Sequence, residues 1–386
     1  FYCSLYEKKG EKSVKKKIIL ILLMISAIFL SGCWDMVEVN QRLFVSSIGI
    51  DLNKGNAKEK YIVTYVYPNI NSIGKNASEK TKKFTVTTTS DAIFQAGSEF
   101  STQVQFPFYY KHLKVLVIGE DLAKESKLVR QAIDGLNRDT KINSKVQILV
   151  AEGTAKDILE SKPPQDQITD GTIYNILKNN KTASRFTPAT LIEVIRDMDT
   201  AGVTIIPRIK LKGKDIKIFG GAIFKNYKLI GWIDEIENRA LSLIKNETKA
   251  ELIDAPYDDT TISYKITSSN SNKKVEVGEK IKVDLSLRTE GYLQEYILEE
   301  NVTSYDDKVL KEMEKAVEKK LKKEIEDTIN IAQHKYNADI IGIGEHLSKF
   351  EPKAWNNIKA DWDQIFPQVE FNVKVDAKIR RTGLVR

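Results

Sequence analysis

Hydrophobic residues in the first half of the chain fall into short strand-like runs and a clear helical face. Apolar runs at Tyr61–Tyr67, Leu113–Gly119 and Val146–Val150 predict buried strands. An amphipathic helix is predicted from the apolar residues Leu128, Val129, Ala132, Ile133 and Leu136. Strands and helices are mixed here without a strict strand–helix–strand alternation, which favours the α+β fold class.

The second half of the chain alternates apolar and polar residues more regularly. Ile216–Phe224 and Lys228–Trp232 are separated by a short polar turn and predict a hairpin. Gly220-Gly221 lies inside the first of these runs and predicts a bulge or a close backbone approach. The polar stretch Asn270–Lys274 is typical of a turn, and the alternation over Ile281–Leu287 predicts an antiparallel strand with one buried face.

The longest predicted helix runs from Asp306 to Tyr336. It carries one apolar stripe, formed by Leu310, Met313, Val317, Leu321, Ile325 and Ile329. Its polar face places Glu314 and Glu318 four residues apart, which is an unfavourable like-charge pair on a helix. Because the stripe is one helix wide, we expect this helix to dock on a sheet; the alternative is a coiled-coil seam for a partner.

Together these patterns predict an α+β fold with three mixed α/β domains, in which a long helix packs on a C-terminal antiparallel sheet. The predicted boundaries are a signal peptide over 1–32, an N-terminal α+β domain over 33–200, a strand-rich middle domain over 201–275, and a C-terminal α+β domain over 276–386. The long helix at 306–336 belongs to the last of these.

The N-terminal stretch has the order of a bacterial secretory signal. Three cations at Lys15–Lys17 precede an apolar run, Ile18–Phe29, and small residues follow it. The run is shorter than the ~20 residues that a bilayer-spanning helix needs, so a permanent transmembrane helix is the weaker interpretation. Residues 1–13 fit this signal poorly and do not begin with Met, so we interpret them as over-called sequence, with Val14 as an alternative start.

Leu30-Ser31-Gly32-Cys33 ends this signal and resembles a lipobox. In a lipobox, the cysteine thiol receives a thioether-linked diacylglycerol, and small residues before it allow the signal peptidase to cut. We therefore predict lipidation of Cys33 as the first residue of the mature protein. The alternative is an uncleaved apolar anchor with an incidental cysteine.

Composition narrows the classes of partner and cofactor. The formal net charge is +7, of which +4 lies in residues 1–32, and the remaining +3 is too small to indicate nucleic-acid binding. The two cysteines are Cys3 and Cys33, so a processed, lipidated chain would have no disulfide. The three histidines, His112, His334 and His346, lack metal-ligand spacing.

The candidate motifs in the sequence do not complete a catalytic or cofactor-binding site. Gly342-Ile343-Gly344 lacks the third glycine of a dinucleotide-binding loop, so it predicts a structural turn. Glu345 and His346 are adjacent, and adjacent side chains point apart on a helix or strand. We therefore predict a protein without enzymatic activity, with no cofactor and no bound metal.

Several motifs occur in an order that resembles the Ger(x)C lipoproteins, the C subunits of spore germinant receptors. The matching segments, in chain order, are Gly32–Asp35 with Glu38, Ile48–Asp51, His112–Glu120, Arg138-Asp139, Pro207–Ile209, Gly220–Lys225, Lys228–Trp232, Asp339–Glu345, Pro352–Trp355, Asp361-Trp362, Phe366-Pro367 and Arg380–Gly383. The resemblance extends over essentially all of 33–386, and the extra N-terminus is its one departure.

The resemblance implies a three-domain protein tethered by its N-terminal lipid to the outer leaflet of the spore inner membrane. It implies assembly with two integral-membrane receptor subunits, A and B, and a part in the response to nutrients such as amino acids or sugars, whose binding site is not located. Cys33 is the one residue for which the resemblance implies a functional role. The residues interpreted as fold-defining, with interface roles also possible for them, are Trp34, Asp35, Gly49, Asp51, Trp232, Gly342, Gly344, Trp355 and Trp362.

A second hypothesis is a solute-binding lipoprotein that serves a transporter. That class predicts two similar, doubly wound lobes around a cleft. The alternating, strand-rich C-terminal half argues against it.

Overall fold

The structure is a computed structural model. It describes residues 17–18, 41–55, 58–69, 72, 82–100, 102, 104–161, 169–179, 184–248, 250–295 and 307–381. The chain divides into two compact units, Phe1–Arg42 and Leu43–Arg386, and the secondary structure set out here belongs to the second.

A mixed sheet of nine strands dominates the first part of this unit, within the described residues. Its strands are β2 (Ser47–Leu52), β3 (Tyr61–Pro68), β4 (Lys83–Ser90), β6 (Val115–Ile118), β7 (Gln147–Ala151), β8 (Ala189–Thr190), β9 (Val203–Lys212), β10 (Asp215–Lys225) and β11 (Lys228–Ile233). The order is β11-β10-β9-β7-β6-β2-β3-β4, with β8 paired to the start of β7. The four central strands, β9, β7, β6 and β2, run parallel, and the hairpins on both sides run antiparallel. A separate pair joins β1 (Leu43–Phe44) to β5 (Phe108–Tyr109).

Helices cover both faces of the central strands. They are α1 (Ile93–Phe100), α2 (Glu120–Ala123), α3 (Ser126–Arg138), α4 (Ala155–Glu160), α5 (Thr169–Lys178) and α6 (Leu191–Thr200). In β6, Leu116 and Ile118 join the apolar core that contains α3 and α6, whereas Val115 and Val117 join the core that contains α4 and α5. This two-sided burial explains why β6 is apolar at every position rather than alternating.

The hairpin of β10 and β11 closes one edge of this sheet. Asn226 and Tyr227 both have positive φ, which matches the twist of a two-residue hairpin turn. The predicted bulge lies at Gly220-Gly221, where the pairing of β10 with β9 shifts register opposite Pro207. Pro207 has no N–H to donate, so the bulge lies where β9 lacks a donor for a hydrogen bond to β10.

The C-terminal part forms a four-stranded sheet within the described residues. Its strands, in spatial order, are β12 (Glu251–Tyr257), β13 (Thr260–Val277), β14 (Ile281–Glu295) and β15 (Glu370–Arg381). The accompanying helices are α7 (Glu235–Ile244), α8 (Asp307–Asn330), α9 (Ile343–Phe350), α10 (Pro352–Ile358) and α11 (Trp362–Ile365). A π-helical turn at Ile331–Lys335 continues α8. The α+β class and the long helix on the C-terminal sheet are therefore confirmed.

Helix α8 packs on this sheet through the predicted stripe. Met313, Val317, Leu321 and Ile325 are buried in one core with the inward residues of β12, β13 and β14. Because α8 crosses over the sheet between β14 and β15, the last strand joins parallel to β14, while the other pairs are antiparallel.

The segment Asn270–Lys274, predicted as a turn, lies instead in the middle of β13. Its polar composition reflects the solvent-facing side of a long strand, because Asn270, Asn272 and Lys274 are exposed. The residues of 201–275 contribute strands to both sheets: β9, β10 and β11 to the first, β12 and β13 to the second. The division into three domains stays a prediction.

Candidate functional site

The predicted lipidation site lies outside the described residues. Cys33 and its neighbours Trp34 and Asp35 are in this category, so their roles stay predictions. Among the helices that the structure describes, none combines the length and the apolar character that crossing a bilayer requires.

Asp51 ties the end of β2 to the first turn of α4. Its carboxylate accepts the main-chain N–H groups of Ala155 at 2.7 Å and Lys156 at 2.9 Å. Burial raises the pKa of the Asp51 carboxyl above its ordinary value, and the two backbone hydrogen bonds oppose that rise. Gly49 lies earlier on β2 and faces α4, where a β-carbon would approach Leu159 Cδ1 to 2.8 Å. These two predicted residues therefore form one contact between the sheet and a helix.

Trp232 lies at the outer edge of the nine-stranded sheet, on β11. Its main-chain carbonyl accepts the hydroxyl of Tyr336 at 2.9 Å, which connects the hairpin to the segment after α8. Trp232 is half-buried, and its ring centroid lies 5.7 Å from the guanidinium carbon of Arg208. The same guanidinium carbon lies 4.0 Å from the ring centroid of Phe219, and Arg208 Nη1 forms an ion pair with Glu152 Oε1 at 3.1 Å. Trp232 thus joins two parts of the fold and is half-buried.

Asp339 organises the turn that begins α9. Its Oδ1 accepts the N–H groups of Gly342 at 2.9 Å and Ile343 at 3.0 Å, and its Oδ2 accepts the N–H of Gly344 at 2.6 Å. The indole Nε1 of Trp362 also donates to Oδ2, at 3.2 Å. Burial raises the pKa of this carboxyl, while the three backbone donors favour its charged form.

The residues around Asp339 pack tightly. Gly342 has a φ of +82°, and a β-carbon on Gly344 would lie 2.8 Å from the Trp355 ring. Trp355 and Trp362 meet edge to face with their centroids 5.3 Å apart. The fold therefore brings four predicted residues, Gly342, Gly344, Trp355 and Trp362, into one cluster.

Asp339 was not among the predicted site residues, although it begins a matching segment. The signal that could have identified it is an aspartate followed at three and five residues by glycines, since Asp side chains accept main-chain N–H groups in such turns. Gly49 with Asp51, and Trp232, lie in separate parts of the fold.

A cleft lies beside the Asp339 turn. Helix α6 and the start of β9 form one wall, and α7, the turn after it and the Asp339 turn form the other. Its volume is about 190 Å³, smaller than the ~300–1,000 Å³ of pockets for drug-sized ligands. The charged residues that line it, besides Asp339, are Glu193, Arg196, Asp197, Lys245, Glu247 and Glu345.

The charged residues of this cleft do not form a metal centre. Across the described part of the chain, no three His, Cys, Asp or Glu side chains are grouped as metal ligands would be.

The fold and these clusters define a class of protein: an α+β protein in which the predicted residues stabilise contacts between its helices and strands. Two family models match consecutive parts of the chain. Residues 35–211 match the spore germination protein N-terminal domain, and residues 219–383 match the C-terminal domain described as spore germination B3/GerAC-like. The chain therefore belongs to the family of spore germinant receptor C subunits, as the sequence motifs predicted.

Relatives and a solved structure agree with this assignment. Spore germination protein B3 of Bacillus subtilis (strain 168) is 25% identical over 381 residues, covering 97% of this chain and 99% of the relative. Spore germination protein KC of the same organism is 27% identical over 406 residues, covering 96% of this chain and 97% of the relative. The crystal structure of the GerBC protein shares the fold, with a TM-score of 0.60 at 20% identity over 90% of this chain and 100% of that one.

Proposed function

We propose that this protein is a lipid-tethered subunit of a nutrient germinant receptor and acts by contact with other proteins. The observation that carries the proposal is the lipobox ending at Cys33, placed directly before a body that belongs to the C-subunit family. In this proposal the partners are the integral-membrane A and B subunits, and the site is the outer leaflet of the spore inner membrane.

Tethering supplies the physical basis of the proposed contact. A lipid with two or more acyl chains holds a protein stably at a membrane, whereas one chain holds it reversibly. Restricting the body to the membrane surface raises its effective concentration near membrane-bound partners without any new contact. The relatives are named as spore germination proteins, which supports the same process for this chain.

The proposal assigns no catalytic step to the chain. The carboxylates of Asp51 and Asp339 accept hydrogen bonds from main-chain N–H groups, so we assign these two residues a structural role. Trp232 is half-buried on the edge strand β11, and we propose it as a residue of the subunit contact.

The first experiment compares replacements of the chain's two cysteines. Cys33→Ala should abolish labelling by radioactive palmitate, release the protein from spore membranes and slow germination on nutrients. Cys3→Ala is the control and should behave as the parent, because Cys3 precedes the predicted cleavage site and lies in the stretch interpreted as over-called sequence. Nutrient germination at the parental rate, together with full release of the Cys33→Ala protein, would contradict the proposal.

The second experiment identifies the partners. Chemical cross-linking in spore membranes, followed by purification of this chain, should recover receptor A and B subunits. Recovery of a permease and an ATPase instead would support the solute-binding hypothesis. Replacing Trp232 by Ala should reduce the cross-linked yield if that ring contributes to the contact.

A further inference from the structure

The chain enters the nine-stranded sheet at one edge, which the strand directions identify. β2 begins at Ser47, four residues after Leu43, the first residue of the second compact unit. β6 and β7 begin level with β2, because Ser47 pairs with Val115 and Val115 pairs with Gln147. β4 also begins there, since it runs antiparallel to β3, which runs antiparallel to β2. The exposed residues along this edge, together named the entry edge, are Lys82, Phe84, Lys111, Lys114, Lys145 and Ile192.

Apolar side chains are exposed at both ends of the entry edge. Phe84 lies at the start of β4 and is 41% exposed, and Ile192 lies in the first turn of α6 and is 43% exposed. Ile192 belongs to this edge because its N–H donates to the carbonyl of Ser144, just before β7. Ring contacts continue inward from Phe84 to Tyr67 and on to Phe108, with centroids 5.6 Å and 6.0 Å apart. The exposed apolar ends are therefore part of the packed fold.

Lysines lie between these two apolar ends. Lys82 precedes β4, Lys111 and Lys114 precede β6, and Lys145 precedes β7, and all four residues are exposed. Neighbouring strands are ~4.8 Å apart, so the four steps from β4 to β7 distribute these lysines along ~19 Å of edge. The entry edge is therefore a row of cations with an apolar residue at each end.

The described carboxylates near this edge each have a protein donor. The donors are Gln95 Nε2 to Glu99 at 3.1 Å, the main chain of Lys141 to Asp139 at 2.7 Å, Lys156 Nζ to Glu160 at 3.8 Å, and the main chain of Thr190 to Glu193 at 2.8 Å. Lys141 is itself exposed and adds a further cation beside Asp139. Positive charge is in excess here, which favours contact with an anionic surface.

The proposed lipid is attached close to this edge along the chain. Cys33 precedes Leu43 by ten residues, which span at most ~36 Å when fully extended. Leu43 is held in the fold, because its N–H donates to the carbonyl of Pro107 at 3.0 Å and it pairs with Phe108. A membrane anchor at Cys33 therefore brings the entry edge to the bilayer before the opposite edge of the sheet.

We propose that the entry edge contacts an anionic bilayer surface and orients the body over the membrane, an inference that rests on the proposed tethering. Phe84 and Ile192 would lie at the boundary between headgroups and acyl chains, and the lysines would contact lipid phosphates. Membrane-surface binding depends on both terms, the buried apolar area and the attraction to anionic lipids. Each lysine near an anionic surface strengthens the contact about fivefold.

The turn between β9 and β10 is the competing membrane contact. It exposes Leu211, at 39%, beside the exposed Lys212 and Lys214. It lies at the opposite edge of the sheet, because β9 runs parallel to β7 and continues past its end to Lys212. If the entry edge rests on the bilayer, this turn is held away from the surface.

The test is fluorescence quenching of the full chain anchored in vesicles of phosphatidylcholine and phosphatidylglycerol. Pro107→Cys and Lys214→Cys each supply one thiol in a Cys3→Ala background, for labelling with nitrobenzoxadiazole. Both positions are exposed, and the parent background labelled in the same way corrects for any reaction at Cys33. Lipids with a nitroxide on the headgroup should quench the dye at position 107 and shift its emission to the blue. The dye at position 214 should show neither change.

Charge variants measure the electrostatic part of the contact. Lys111→Gln combined with Lys114→Gln should lower the ratio of docked to undocked chains about 25-fold, the product of two fivefold effects. Leaving out phosphatidylglycerol should reduce quenching at position 107 in the same direction. Lys315→Gln combined with Lys319→Gln is the matched control, because these exposed lysines lie on α8, which packs on the C-terminal sheet. This control should be quenched as the parent is.

An apolar variant measures the other part of the contact. Phe84→Ser should reduce quenching at position 107, whereas Phe350→Ser should leave it unchanged, because Phe350 is exposed at the end of α9. Circular dichroism of each variant confirms that a loss of quenching does not reflect unfolding.

Equal quenching at positions 107 and 214, or stronger quenching at 214, would overturn the proposal. Quenching at 107 that ignores both the lysine replacements and phosphatidylglycerol would also overturn it. The readout requires only an N-terminal anchor, whether a lipid or an uncleaved apolar segment. A chain that does not sediment with the vesicles would contradict the tethering itself, whereas a tethered chain without position-dependent quenching would contradict the entry-edge contact alone.

Discussion

Replacing Asp339 by Ala tests how the turn that begins α9 is held together in this chain. The substitution removes the acceptor of four donors: the N–H groups of Gly342, Ile343 and Gly344, and the indole N–H of Trp362. Ile343, Gly344 and Trp362 are buried and Gly342 is half-buried, so we expect most of these donors to lose their partner without replacement.

The expected loss follows from the number of donors and their burial. A hydrogen bond to a charged group contributes ~1.5–3 kcal/mol, but removing Asp339 also removes the cost of burying its carboxylate. Each buried donor left without an acceptor costs ~1–3 kcal/mol. Partial relaxation of the turn makes the total for these four donors smaller than their sum, ~3–5 kcal/mol. We expect a loss in that range for Asp339→Ala, and about half of it for Asp339→Asn, which keeps one acceptor oxygen.

The assay is urea unfolding of the purified chain, followed by far-ultraviolet circular dichroism. Near-ultraviolet dichroism reports the packing of Trp355 and Trp362, whose rings meet beside the turn. Asp361→Ala is the matched control, because Asp361 is an exposed aspartate one residue before Trp362. A free energy of unfolding for Asp339→Ala within about 0.5 kcal/mol of this control, the range of an ordinary surface substitution, would refute the reasoning.

Three further predictions concern the bulge, the edge of the C-terminal sheet and a histidine. Gly220→Ala should lower the free energy of unfolding by at least about 2 kcal/mol, because the new β-carbon would overlap a main-chain carbonyl of β11. Gly213 also has a positive φ, but open space surrounds it. Gly213→Ala should therefore lower the free energy of unfolding by only ~1 kcal/mol in the same urea titration. Replacing Glu314 or Glu318 by Gln should destabilise the fold by ~1–2 kcal/mol, because each accepts a main-chain N–H from β15; a gain in the urea midpoint, as expected from relief of their mutual repulsion, would contradict this. Burial and two nearby lysines lower the pKa of His346 below 6.5, so the folded chain binds that proton less tightly than the unfolded chain. Stability should therefore be lost as pH falls below 6.5 through the folded-state pKa, and His346→Gln should reduce this slope in urea midpoints measured across pH; equal slopes would contradict the assignment.

Local patterns in the sequence were enough to predict the elements whose burial decides them. The apolar run of β6 and the stripe of α8 are each set by the faces that they bury, and both were predicted correctly. The bulge at Gly220-Gly221 was predictable because glycine in a strand interior usually marks one.

Contacts between distant residues were not predictable from the same patterns. Asp51 accepts donors from residues 155 and 156, and Asp339 accepts one from Trp362, and neither pairing leaves a local signal. The prediction of a turn at Asn270–Lys274 was wrong, because the solvent-facing side of a strand in a long hairpin has the polar composition of a turn.

The pair Glu314 and Glu318 shows how a local rule can be overridden. On an isolated helix the two carboxylates repel each other. In the fold they accept the N–H groups of Ile379 at 3.0 Å and Ala377 at 3.1 Å, on the free side of β15. An edge strand with unpaired N–H groups invites association with another chain, so covering it stabilises the fold and its solubility.

The central claim is that this body works at a membrane through a lipid on its first mature residue. Mass spectrometry of the N-terminal peptide, from protein extracted from spore membranes, tests it most directly. The account predicts that the mature chain begins at Cys33 and that this peptide carries the mass of a diacylglyceryl group. An unmodified Cys33 within a continuous, uncleaved chain would contradict it.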